Sequence, residues 1–155
     1  MRKSLVLLAL LALAACDRAV FSPWEPIPDL GLTSVQEVMR WVAGEIIYMP
    51  DRERMREEYW QSPQETYCWR TGDCEDSCIL AMYLIHRDIG LVGQLVLGRY
   101  RNGSHGWVYV DGHQWEPQLA RIVDDDPDYI IRKSITYCET VWRSRVTHRG
   151  LSGPE

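Results

Sequence analysis

The chain has 155 residues, with 17 Lys+Arg against 22 Asp+Glu, a net charge of −5 and an apolar share of 46%. That length supports one hydrophobic core and little more. The acidic balance argues against a nucleic-acid partner, which calls for a basic face, and no internal repeat or low-complexity tract suggests a solenoid or a disordered chain.

Residues 1–15 begin with Arg2 and Lys3, continue as the apolar segment Leu5 to Ala15, and end in small residues before Cys16. This is the pattern of a secretory signal peptide, too short to span a bilayer comfortably. Leu13-Ala14-Ala15-Cys16 resembles the lipobox of bacterial lipoproteins, which implies that Cys16 is lipidated and becomes the first mature residue. The expectation is a protein anchored to a membrane of the bacterial cell envelope, on its periplasmic or extracellular face. Losing Arg2 and Lys3 takes the net charge to about −7. Residues 16–32, with Pro23, Pro26 and Pro28, read as the lipidated cysteine and an extended tether. Residues 33–145 are expected to form the domain and 146–155 a tail.

Ser34 followed by Glu37 makes a capping box, and Val35, Val38, Met39, Val42 and Ile46 fall on one helical face, with Trp41 beside it. Pro50 is expected to end this helix. Asp51 to Glu58 is charged and reads as a solvated surface turn, and Tyr59 to Thr66 as a polar stretch carrying two aromatics. Gly72-Asp73-Cys74-Glu75-Asp76 then opens a second helix, with Gly72 for a sharp turn, Asp73 as N-cap and two carboxylates in the first turn. That helix is expected to run to about Asp88, with Cys74, Cys78, Met82 and Ile85 on one face and Gly90 closing it. The period then changes to two. Leu91 to Tyr100 and Gly106 to Val110 are strand candidates, Asp111-Gly112 is a hairpin turn, and His113 to Glu116 is the returning strand. Tyr129 to Ile131 and Ile135 to Trp142 are two further candidates, so helices followed by an antiparallel meander predict an α+β domain. Trp60, Trp69, Trp107 and Trp115 are expected in the core or the walls of a site.

A thiol at a helix N-terminus is pulled below the free-cysteine pKa of about 8.5 by the helix dipole, whereas Glu75 and Asp76 oppose that pull. Nucleophilic use of Cys74 therefore requires a base and an orienting group. In a two-residue hairpin, Val110 pairs with His113, Tyr109 with Gln114 and Val108 with Trp115, which puts His105, Trp107 and Glu116 on one face. Glu116 then lies diagonal to His105, roughly 7–8 Å away by backbone position. Asp111 is too far along the strand, His86 too far along the helix, and His113 faces the other way. The roles that follow are Cys74 as nucleophile, His105 as general base and then acid, and Glu116 as its orienting carboxylate. The Cys74 N–H would meet an oxyanion, with Gln61 or Gln64 as candidates for the second donor.

These residues resemble the transglutaminase-like cysteine hydrolases, and among them the bacterial transglutaminase-like cysteine proteinase branch. Gly72-Asp73-Cys74-Glu75-Asp76 is similar to the family's nucleophile turn, His105-Gly106-Trp107 to its His-x-Trp strand, and Trp115-Glu116-Pro117 to the segment carrying the third member, where Asp is usual. The resemblance implies a papain-like, transglutaminase-like fold with the nucleophile helix packed on an antiparallel sheet, and acyl-transfer chemistry on a protein or cell-envelope peptide. It implies no required cofactor, but it makes Glu75 and Asp76 candidate calcium ligands, with Asp124 to Asp128 a weaker set. Other readings of the same residues are a catalytically inactive peptide-binding lipoprotein, a Cys68–Cys138 disulfide, a Cys74–Cys78 redox pair, and a zinc site from Cys68, Cys74, Cys78 and His105.

Overall fold

Ser34 starts the first helix, α1 (Val35–Glu45), by accepting the Glu37 N–H at 3.2 Å. The Glu37 carboxylate reaches one residue past the box geometry, to the N–H and Oγ1 of Thr33. In this computed structural model the described residues are 25–51 and 59–137. Expectations placed on Cys16, on the signal segment and most of the tether, on 52–58, and on Cys138 with the tail lie outside them.

Val35, Val38, Met39 and Val42 form the buried stripe of α1. The helix stops at Glu45, well before Pro50, because Ile46 turns extended and strand β1 (Ile47–Tyr48) pairs in parallel with β2 (Thr71–Gly72). A long-range strand pair, not the proline, ends it. The stretch read as polar with two aromatics contains a second helix, α2 (Pro63–Trp69), with a complete Ser62–Glu65 capping box and proline in its first turn. Trp69, expected to be buried, is 41% exposed.

Asp73 caps α3 (Cys74–Leu84), its carboxylate taking the Asp76 N–H while the Asp76 carboxylate takes the Asp73 N–H, both at 3.2 Å. This helix is buried around most of its circumference rather than along a stripe, from Cys74 through Leu84 with Glu75 and Tyr83 only partly covered. It packs on α1, on α2 and on the sheet, so it is the element around which the others are arranged. Its last turn widens into a π-helical segment, Ile85–Ile89, closed by Gly90 at φ +80°.

Five strands follow: β3 (Gln94–Tyr100), β4 (Gly103–Val110), β5 (His113–Glu116), β6 (Arg121–Ile122) and β7 (Tyr129–Thr136). Their order is β6-β5-β4-β3-β7, and every pairing is antiparallel. The meander thus runs only from β3 to β6. β7 is one strand rather than two, and it crosses back to the β3 edge, with a register shift between Leu97 and Gly98. The Asp111-Gly112 turn has both residues left-handed, at φ +52° and +79°, and the register is Val110↔His113, Tyr109↔Gln114, Val108↔Trp115. Two cores flank the sheet. Leu95, Val108, Val110, Trp115 and Ile135 join the helices, whereas Val96, Trp107, Val123 and Tyr129 cluster on the opposite face.

Candidate functional site

Because side chains alternate along β4, His105 and Trp107 share the sheet face turned away from α3. The expected diagonal contact is present on that face: His105 Nε2 lies 2.5 Å from Glu116 Oε2. The imidazole is 15% exposed and the carboxylate 2%, so this pair is shielded from water and its electrostatics are little screened. Rings of Tyr100, Trp107 and Tyr129 stand 5.8, 6.1 and 6.0 Å from the imidazole centre. With Nε2 committed to Glu116, Nδ1 is the nitrogen left to face a reacting partner.

Cys74 arrives from the other side. The β4–β5 ladder extends only to Val108↔Trp115, and beyond it the strands part. Ladder alternation turns the Gly106 N–H toward that gap. The Gly106 backbone N–H acts on the Cys74 thiol as the one influence that lowers its pKa, and a Cβ on Gly106 would lie 3.6 Å from Glu75 Cγ, so the first turn of α3 sits beside the residue that follows His105. The thiol itself donates to Glu75 Oε2 at 2.8 Å, not to the imidazole. Burial first, and the Glu75 carboxylate second, hold the Cys74 thiol far above the usual thiol range, so in this arrangement it is protonated. The helix-end effect expected to activate it is outweighed. Cys78, one turn on and fully buried, is pushed up by burial as well.

The two oxyanion candidates separate. Gln61 is 1% exposed; its N–H donates to Asp76 Oδ1 at 2.7 Å, which ties it to the start of α3, and its side-chain Oε1 has no hydrogen-bond partner among the described residues. Gln64 sits half-buried in the first turn of α2. The Cys74 N–H lies at the first position of α3, where intrahelical partners are lacking.

The proposed calcium pair is divided between two acidic groups. Glu75 clusters with Asp73 and Cys74, whereas Asp76 clusters with Asp51 and Asp73; within each group the ligand atoms lie within 4.8 Å of one another. Asp73 is common to both. Burial, reinforced by neighbouring carboxylates, raises Asp73 to about 7 and Asp76 to about 8. Crowded, part-buried carboxylate oxygens are the donor chemistry a hard divalent cation takes, although both Asp76 oxygens already accept backbone N–H groups. The weaker candidates are otherwise engaged: Asp124 holds His113 and the Gln114 N–H, Asp126 pairs with Arg121, and Asp128 with Arg101. Cys74 and Cys78 are both free thiols, so the structure holds no disulfide between them.

One member of the site had no signal in motif spacing. Tyr129 donates its hydroxyl to Glu116 Oε2 at 3.1 Å, an interaction created by the return of β7 to the β3 edge.

Neither a protein-family model nor a curated protein sequence matches the chain significantly. Solved structures do. A structure of LapG from Legionella pneumophila and its EGTA-treated form each align with a TM-score of 0.55 at 18% identity, covering 65% of this chain and 61% of that one. The calcium-bound form of the same protein aligns with a TM-score of 0.51 at 17% identity, covering 65% and 62%. The alignments thus span about three-fifths of LapG's length. Helix α3 set on an antiparallel sheet, in an arrangement shared with LapG, gives this chain a transglutaminase-like α+β fold.

Proposed function

We propose that the chain is a lipid-anchored, extracytoplasmic cysteine hydrolase of the transglutaminase-like proteinase type, a peptidase, amidase or acyl transferase acting on a protein or cell-envelope peptide. The observation that carries this reading is the parted end of β4–β5. There a shielded imidazole–carboxylate pair and a cysteine sulfur converge around Gly106 from the two sides of the sheet. Cys74 attacks the amide carbonyl carbon as its proton passes to His105, whose cationic form Glu116 stabilises. The Cys74 N–H and the Gln61 amide receive the oxyanion. Collapse expels the amine, protonated by His105, and leaves a thioester on Cys74; water or a second amine then attacks, with His105 again taking the proton. Since burial and Glu75 keep the resting thiol protonated, attack and proton transfer are concerted rather than preceded by a stable thiolate.

Calcium fits the acidic cluster centred on Asp73, with Asp51 and Asp76 or with Glu75, and would neutralise the carboxylates beside the nucleophile. Anchoring through Cys16 at the bacterial envelope belongs to the same proposal and rests on the sequence alone. The test is labelling of the purified protein with an electrophilic peptide, read by mass spectrometry. A single adduct on Cys74, lost in Cys74→Ala, supports the hydrolase. The alternative, a catalytically silent peptide-binding module, is favoured by one observation, the thiol's bond to Glu75. It predicts that Cys74→Ala binds peptide as the wild type does and that no adduct forms.

A further inference from the structure

We propose that Tyr129 is a positioning residue for the His105–Glu116 pair, fixing the carboxylate through its hydroxyl so that the imidazole is held for proton transfer. The inference rests on the hydrolase reading for its consequence, but not for its geometry. Glu116 is 1% exposed, and both its oxygens are engaged: Oε2 meets His105 Nε2 at 2.5 Å and the Tyr129 hydroxyl at 3.1 Å, while Oε1 takes the Gln118 N–H at 3.2 Å. A buried carboxylate is ionised only if donors replace its water, and Tyr129 is the one side chain besides His105 that donates to it among the described residues.

The phenol is itself locked. Its backbone N–H is bonded to the Asp126 carbonyl at 3.1 Å, Trp107 meets its ring edge-on at 5.2 Å, and Tyr100 lies 4.6 Å away. Burial, and then the Glu116 charge, keep the phenol protonated across the working pH range, so it remains a donor throughout. Packing alone would need only a ring at this position. The hydroxyl is what distinguishes a positioning role.

Groups near the pair from other elements are Tyr100 on β3, Arg121 on β6, whose guanidinium lies 5.7 Å from the Tyr129 ring, and Cys78 on α3, which feels the Glu116 charge. Arg121 also faces the Tyr129 side chain, and its pairing with Asp126 is independent of the hydroxyl that Tyr129→Phe removes. Removing the hydroxyl leaves more negative charge on Glu116 for the imidazolium, so the His105 pKa rises. The base form is then lost at higher pH, and the acid limb of the kcat/KM profile moves up with it.

The experiment is Tyr129→Phe in the full chain, with the His105 imidazole titrated by NMR and kcat/KM measured against pH on any peptide substrate that the labelling reaction identifies. The expected result is a folded protein whose His105 midpoint moves up by about half a unit or more, with kcat/KM reduced roughly tenfold. An unchanged His105 midpoint overturns the proposal, whatever the activity. Should Tyr129→Phe not fold, 3-fluorotyrosine at position 129, a stronger donor, is expected to move the midpoint down; no movement overturns the proposal equally. The titration needs no turnover. Failure of the hydrolase reading, seen as wild type and Cys74→Ala behaving alike, is therefore distinguishable from failure of the positioning role.

Discussion

Gly98 stands opposite His105 in the β3–β4 ladder, at the register shift between β3 and β7. A Cβ there would lie 2.2 Å from the Ile130 carbonyl oxygen and 2.6 Å from Trp107 Cη2. Neither atom can yield cheaply, since one is backbone in the paired strand and the other belongs to a fully buried indole anchored to Gln114 Oε1 at 2.8 Å. Gly98→Ala must therefore separate β7 from β3 locally. Overpacking of about 1–3 kcal/mol, with about 1 kcal/mol for a weakened ladder bond, gives a loss of about 3 kcal/mol. At about 2–4 °C per kcal/mol for a chain of this length, Tm falls by about 6–12 °C. Gly106→Ala is the internal comparison, because its Cβ would find nothing closer than 3.5 Å, and its expected cost is below about 1 kcal/mol. Circular dichroism melts of the three full-length proteins measure both. A Gly98→Ala melt within about 2 °C of wild type, against about 2–4 °C per kcal/mol, would refute the packing argument.

Asp73 and Asp76 have folded-state pKa values raised to about 7 and about 8. The folded state therefore binds more protons than the unfolded chain between about pH 4 and pH 8, and stability falls as pH rises through that window. Thermal melts in EGTA are expected to show a higher Tm at pH 5 than at pH 8, and added calcium to remove most of the difference at pH 8; a flat profile would contradict this. Ser62→Ala deletes the acceptor for the Glu65 N–H at the start of α2 and is expected to cost about 1 kcal/mol, read by denaturant unfolding. Glu116→Gln keeps the side chain's shape and removes its charge. Its expected effect is a fall of about tenfold or more in the rate of peptide-adduct formation at Cys74, with less than about 2 kcal/mol lost in stability.

Local signals were legible where local chemistry decides. The Ser34 and Asp73 caps, the Asp111-Gly112 hairpin and the register that places His105 beside Glu116 all follow from residues a few positions apart. The Ser62-Pro63-Gln64-Glu65 capping box was equally visible, but its helix is short and polar, so no apolar period announced it. Non-local pairings were not legible. Two-residue strands such as β1 and β2 carry no pattern, and nothing near Tyr129 indicates that β7 returns to the β3 edge and delivers a hydroxyl to Glu116. The first-turn carboxylates also misled. Glu75 and Asp76 are adjacent in sequence, yet Asp76 turns inward to Gln61 and Asp73 while Glu75 turns to the thiol, because successive helical residues point about 100° apart. Burial of that turn, which raises rather than lowers the Cys74 pKa, depends on everything packed over α3.

The central claim is that Cys74 and His105 act on one proton, and the rate of Cys74 alkylation measures it without a substrate. Iodoacetamide modification of Cys74 is followed by peptide mass spectrometry from pH 5 to pH 9, in wild type and in His105→Ala. The account predicts that the wild-type rate follows the titration of His105 and that His105→Ala slows modification at neutral pH by at least about tenfold. Superimposable profiles for the two proteins would contradict it.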